Sequence, residues 1–384
     1  LIRKWYTFKL VYTGILYNFA TQSNRTMKIL NIRFKPRPRH IALMVLFAIV
    51  TSCKMLPGLG DAYTFCIYPK IGVCLSSVSG IVPFALGDFF IAMSILWVIA
   101  YPIYSIAYKK RGKKKTLCLV AEYLIWVYVW FYAAWGLNYS QQDVYQRIGM
   151  PPVEVATDDF LHFANDYADS LNATYTKAIP NDIKQRAWQS TLQGYRQLKD
   201  MGINRPFNSN AHAKTMLFSR LSSMAGVTGS MAPFFCEFTL NADIRRHEYP
   251  AIYAHEYAHM LGIANEGEAN FYSYLVCTAS ADRAVRFSGY YHILFHMLRN
   301  AHELLDEREY DTYIGRINPE IIRLAQTDRE YWLSLHSPII DKTQNFIYNL
   351  YLEGNQVEGG MKSYSGVTGI IMAWEKYKKV EKYQ

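Results

Sequence analysis

Apolar residues are unevenly spread along this chain. Gly87 to Tyr108 and Thr116 to Asn138 are each long enough for a bilayer-spanning helix, and both gather Trp and Tyr toward their ends, where a span meets headgroups. Ile41 to Pro57 is a weaker third span: Lys54 interrupts it, although a lysine near an end can snorkel. Past Asn138 the pattern changes to helical periodicity, near Asp158 to Thr176, Asp182 to Lys199 and Ala213 to Ala225. One strand signal stands out. Phe234 to Leu240 is aromatic and β-prone, follows the turn-rich Gly226 to Pro233, and ends shortly before another helix. The pattern predicts a mainly α (α+β) chain: transmembrane helices in residues 41–138, then an α-rich domain with a small edge sheet in residues 139–384.

Charge orients this scheme. Residues 1–138 carry 17 Lys+Arg and 3 Asp+Glu, a net +14 that leaves −4 of the overall +10 for residues 139–384. The basic excess lies in residues 1–40 (Lys28, Arg33, Lys35, Arg37, Arg39) and in the run Lys109 to Lys115, whereas the Gly58 to Leu86 loop has only Lys70. Both basic segments are then cytoplasmic, and three spans put residues 139–384 outside the cytoplasm. Because the charges flank apolar spans rather than an interleaved reading surface, the bilayer is the expected partner and nucleic acid is not. Residues 1–26 precede Met27, a more conventional start. Val50-Thr51-Ser52-Cys53 offers a lipoprotein-like alternative to the first span. The six cysteines form no metal-site spacing. An oxidising compartment would permit Cys66 with Cys74, or Cys236 with Cys277, though the second pair is better read as buried free thiols.

The strongest chemical signal is His255-Glu256-Tyr257-Ala258-His259. Pro250 suits a first helical turn, Ala251 to Leu261 contains no breaker, and Gly262 is a natural stop. Residues four apart share a helix face, so His255 and His259 can present both imidazoles to one zinc ion while Glu256 serves as general base. His247-Glu248-Tyr249-Pro250-Ala251 lacks the second histidine and has no such role. Two carboxylates compete as third ligand. Asn265 is a good N-cap for a helix to about Cys277. Glu268 then falls where a carboxylate can reach back to the cap's own amide, which leaves Glu266 preferred. Asn270 lies on the Glu266 face, placed to hold a ligand histidine from behind.

At these residues the chain resembles gluzincin zinc metallopeptidases. Asn265-Glu266-Gly267 with Ala269 looks like the Asn-Glu-Gly-x-Ala of membrane-alanyl aminopeptidases, and Glu266-x-x-Ala269-Asn270 like the Glu-x-x-Ala-Asp of CAAX-type and heat-shock membrane proteases. The gap between His259 and Glu266 is shorter than in those enzymes. A metzincin reading fails because its third histidine would fall at Asn265, a poor zinc ligand. Most of the chain is also similar to an uncharacterised bacterial family known only as a domain of unknown function. That resemblance rests on Glu266 to Phe271, Pro83 to Asp88, Trp135 to Asn138 and Ser363 to Val367.

The gluzincin resemblance implies a zinc-dependent metallopeptidase: His255, His259 and Glu266 on the metal, Glu256 as base, peptide or protein as substrate. In gluzincins an edge strand above the zinc helix binds extended substrate, and Phe234 to Leu240 looks like its counterpart, against the plainer reading of a core strand. Tyr364 is the first choice for oxyanion donor, since the Gly359-Gly360 turn could bring it to the site. His292 and His296, between aromatic and aliphatic neighbours, read as packed helix residues. Phe271, Tyr272, Tyr274 and Leu275 read as the core face of the second zinc helix. The expected setting is the bacterial inner membrane, multi-pass, with the zinc domain on the extracytoplasmic side. Two other functions compete: a zinc-binding scaffold without turnover, and an intramembrane protease.

Overall fold

A computed structural model of the chain describes residues 37–56, 58–153, 155–198, 200–345 and 366–381. The chain divides into two units, Leu1–Ala48 and Ile49–Gln384, and apart from the first helix everything discussed below lies in the second. Among the described residues, three helices are long and apolar enough to cross a membrane: α1 (Pro38–Met55), whose residues fall in both units, and, within the second, α4 (Leu86–Ala107) and α5 (Lys113–Ala134). The last two are joined through the basic run. Ser94 Oγ meets Tyr123 OH at 2.7 Å, and Ser105 Oγ meets Thr116 Oγ1 at 2.9 Å. The outward faces keep Ile95, Leu96, Ile99 and Ile103 exposed, which suits hydrocarbon rather than water.

The segment between the first two spans, expected to be an external loop, is helical instead. It forms α2 (Leu59–Ala62), a π-helical turn (Tyr63–Ile67) and α3 (Tyr68–Ser79), with Pro69 in the first turn of α3. Tyr68, Gly72, Ser76 and Ser79 make its buried face. A side chain at Gly72 would meet the Phe207 ring at 2.6 Å, so the helix seats closely on the domain that follows.

That domain is built from α6 (Val144–Ile148), α7 (Thr157–Thr174), α8 (Ile183–Gln197), α9 (Ser219–Met224), α10 (Tyr249–Met260), α11 (Glu266–Thr278), α12 (Arg283–Leu304), α13 (Glu307–Arg316), α14 (Pro319–Leu335) and α15 (Val367–Glu381). The α7 and α8 ranges follow the expected helices closely. Ala213 to Ala225 does not form the single helix expected there: β1 (Lys214–Thr215) pairs into a sheet, and α9 is only six residues long. α10 is buried on nearly every side, packed among α8, α11 and α12, so it shows little amphipathic pattern.

The sheet corrects a second expectation. Its order is β1-β3-β2, with β2 Gly229–Ala232 and β3 Glu237–Leu240. β3, from the segment read as an edge strand, is central and wholly buried, parallel to β1 and antiparallel to β2. Phe234 and Phe235 sit in the turn before it. β1 and β2 form the edges, and β2 lies inside the stretch read as turn.

Candidate metal centre

α10 ends where Gly262 takes φ 99°, a left-handed conformation that glycine adopts without strain, and Ile263 N–H returns to Ala258 O at 3.1 Å. Asn265 then caps α11 by accepting from Glu268 N at 3.1 Å. This tight reversal places Glu266, the first residue of α11, against the face of α10 that carries both histidines. Glu266 Oε2 lies 3.1 Å from His255 Nε2 and 3.4 Å from His259 Nε2, and the two Nε2 atoms are 3.1 Å apart. Of His255, His259 and Glu266, each offers one ligand atom, and these lie within 4.8 Å of one another.

The histidine tautomers are partly fixed. His259 Nδ1 is 2.6 Å from the Ile263 carbonyl, which can only accept, so Nδ1 carries the proton and Nε2 faces the cluster. Trp135 Nε1 donates to His259 O at 2.9 Å, tying the end of α5 to the same residue. Burial opposes charge on both partners of the His259–Glu266 pair. It is outweighed: Glu266 raises His259 to about 9, and the imidazoles hold Glu266 well below the usual carboxylate range.

Glu256 sits beside this trio, buried, with Oε2 lacking a hydrogen-bond partner among the described residues. Burial raises its carboxyl above the ordinary range. β2 presses on it from above: a Cβ at Gly229 would lie 2.3 Å from Glu256 Oε1. Glycine alone lets the strand come this close.

Glu268 is elsewhere. Its Oε1 accepts from Val144 N at 2.9 Å and its Oε2 pairs with Arg147 Nη2 at 2.5 Å, both side chains almost fully buried. It therefore has a structural role, directed to α6 rather than to the cap amide expected from its position. Asn270 also departs from expectation: its Oδ1 meets His292 Nε2 at 2.9 Å rather than a ligand histidine. His292 and His296, expected to be packing residues, line the same cavity as the trio. Burial is the main reason both imidazoles stay neutral, His292 at about 3 and His296 at about 4. Tyr364 lies outside the described residues. Phe271 and Tyr272 are fully buried and Tyr274 nearly so, as a core face requires.

The cavity, about 690 Å³, is walled by residues that periodicity did not connect to the motif. Ile91 comes from α4, Phe131 from α5, Trp135 and Tyr139 from just after α5, and Gly229 to Met231 from β2.

The donor set suits a divalent metal. Two imidazole nitrogens and one carboxylate oxygen converge, and tetrahedral zinc at about 2.0–2.1 Å from each would set its ligands ~3.3 Å apart, close to the spacings above. A protein-family model described as "Protein of unknown function (DUF3810)" matches residues 63–372. No curated protein and no solved structure matches the chain.

Proposed function

Because the chain belongs to the DUF3810 family, whose description assigns no reaction, we propose from the site itself that it is a membrane-anchored, gluzincin-like zinc metallopeptidase. The observation that carries this reading is the convergence of His255, His259 and Glu266 beside the Glu256 carboxylate, whose Oε2 lacks a hydrogen-bond partner among the described residues, in a cavity bordered by a strand edge. His255, His259 and Glu266 would hold the metal. When bound, zinc supplies Lewis acidity, lowering the pKa of water to about 7 and polarising a carbonyl.

The chain's own groups do the rest. Glu256 accepts the proton of the attacking water and returns it to the leaving amine, from a position that burial and Gly229 fix. His259 is held in its ligating tautomer by Ile263 O. β2 receives the substrate. Asn241 N donates to Thr228 O at 2.8 Å, so by the antiparallel alternation residues 228, 230 and 232 bond β3 while Gly229 and Met231 turn their N–H and C=O outward. Those outward groups pair with an extended peptide. α10 has 12 residues and is not among the three helices of membrane-crossing length, which weighs against an intramembrane protease.

The test is metal content and peptidase activity of the full chain in detergent, for wild type, His259→Ala and Glu256→Gln. The expected result is about one zinc per chain, lost in His259→Ala, with Glu256→Gln keeping zinc and losing turnover. Folded wild-type protein that takes up no zinc would overturn the reading; zinc without turnover in wild type would reduce it to a metal-binding scaffold, and equal activity in Glu256→Gln would remove Glu256 as the base.

A further inference from the structure

β2 connects the metal centre to the membrane-crossing helices. At one end Gly229 lies on Glu256. At the other, a Cβ at Gly87, in the first turn of α4, would be 2.4 Å from Ala232 Cβ, and Gly87 N donates to Glu237 Oε1 at 2.6 Å. The turn beyond the strand is held by both helices: the Phe234 ring is 4.8 Å from Phe90 and 6.2 Å from Phe131, and Trp130 Nε1 donates to Phe234 O at 3.2 Å. Residues 229–232 span only about 10 Å at strand rise. A peptide paired along this edge therefore reaches, within three or four residues of Glu256, a wall made of Ile91, Phe131 and Phe234.

One residue of that wall is also exposed at the surface. Ile91 is 43% exposed, on a helix whose other exposed residues are apolar. Leu217, Phe218 and Leu221 add exposed apolar surface beside it, positioned where Leu217 N donates to Asp88 Oδ2 at 2.9 Å. A soluble peptide would gain from this apolar cavity end only what its own apolar side chains bury there. A chain that itself continues into the bilayer would stay desolvated along the whole path.

We infer that the substrate is a polypeptide anchored in the same bilayer, bound with its anchor against Ile91, Phe131 and Phe234 and its bond for cleavage about three or four residues away. This rests on the peptidase reading for turnover, though binding does not depend on it. An acyl chain and an apolar helix share the required chemistry, so both are compared.

The experiment places full-length Glu256→Gln protein in phosphatidylcholine/phosphatidylglycerol nanodiscs. It is offered peptides of mixed sequence carrying a photo-crosslinking residue at stepped distances from a myristoyl chain, from an apolar 20-residue helix, or with no anchor. Cross-links from the first four residues after an anchor should fall on Ile91, Phe131 or β2. They should exceed by about tenfold those from 15 residues away, and Phe131→Ala should lower them. Preference for one anchor identifies which source the site takes. Equal cross-linking from unanchored peptides, or a yield flat along the chain, overturns the inference. Cleavage of the same peptides by wild type is scored separately. Cleavage indifferent to the anchor leaves a peptidase with another substrate class. A cross-link map as expected without cleavage leaves the binding site and removes the peptidase.

Discussion

At the residue scale the two acidic candidates of α11 can be separated by opposite signatures. Glu266 touches both histidines, whereas Glu268 neutralises an Arg147 side chain that is only 2% exposed. Glu266→Gln should reduce zinc affinity by more than the roughly 10–100-fold that changing a residue behind a ligand costs. Glu268→Gln should keep zinc but lower unfolding free energy by about 3 kcal/mol, because Arg147 is left buried beside a neutral group. Zinc titration and denaturant melts of both variants decide it; equal loss of zinc in the two would contradict the assignment. Gly229→Ala is a third probe. The new methyl would clash with Glu256, so turnover should fall at least about tenfold, roughly 1.4 kcal/mol in barrier, while zinc content stays near wild type. Capping physics put Glu266 ahead by giving residue 268 another task, but the task Glu268 has is different, holding Val144 and Arg147 rather than the cap amide. The place of His292 was not legible, since a histidine between apolar neighbours looks the same in sequence whether it lines a cavity or fills a core.

At the element scale, four-residue spacing on a helix is a strong signal, and α10 and α11 appear where breakers and caps put them. The strand was harder. Burial selected the aromatic, β-branched β3 for the centre of the sheet, and the edge that meets the site, Gly-Ser-Met-Ala, is made of residues that read as turn because the strand must pass close over Glu256. This geometry makes a directional prediction. Met231 turns its N–H outward and Ser230 turns its inward, so Met231→Pro should keep the fold and weaken peptide binding about fivefold, the worth of one hydrogen bond near 1 kcal/mol. Ser230→Pro removes a ladder bond and should destabilise the protein instead. Peptide KM and thermal melts measured together distinguish these outcomes; unchanged KM in Met231→Pro would exclude substrate pairing on β2.

At the scale of the whole molecule, helices of membrane-crossing length are legible because length and composition alone define them, but a domain boundary is a matter of packing. Placing it at Asn138 separated a membrane region from a metal domain, yet the core runs across that point. Tyr68 is fully buried and donates to Met260 O at 2.6 Å, Thr64 Oγ1 donates to Asn138 Oδ1 at 2.9 Å, and Asn204 Nδ2 bridges Thr64 O and Leu261 O, both at 2.9 Å. Tyr63, Tyr68, Trp135 and Leu137 share one hydrophobic cluster with α10 and α11. The small residues that seat α3, Gly72, Ser76 and Ser79, carry no periodic apolar signal, so the segment read as a loop. Removing these four large side chains exposes their partners at about 1.5–3 kcal/mol each. The loss is on the order of 10 kcal/mol, comparable to the 5–15 kcal/mol of a whole domain. A chain starting at Tyr139 should therefore lack a cooperative melt and bind zinc poorly, whereas one starting at Gly58, kept in detergent, should retain both. A Tyr139–Gln384 protein that melts cooperatively and holds one zinc would show that residues 139–384 fold without the apolar helices and that the shared core is dispensable.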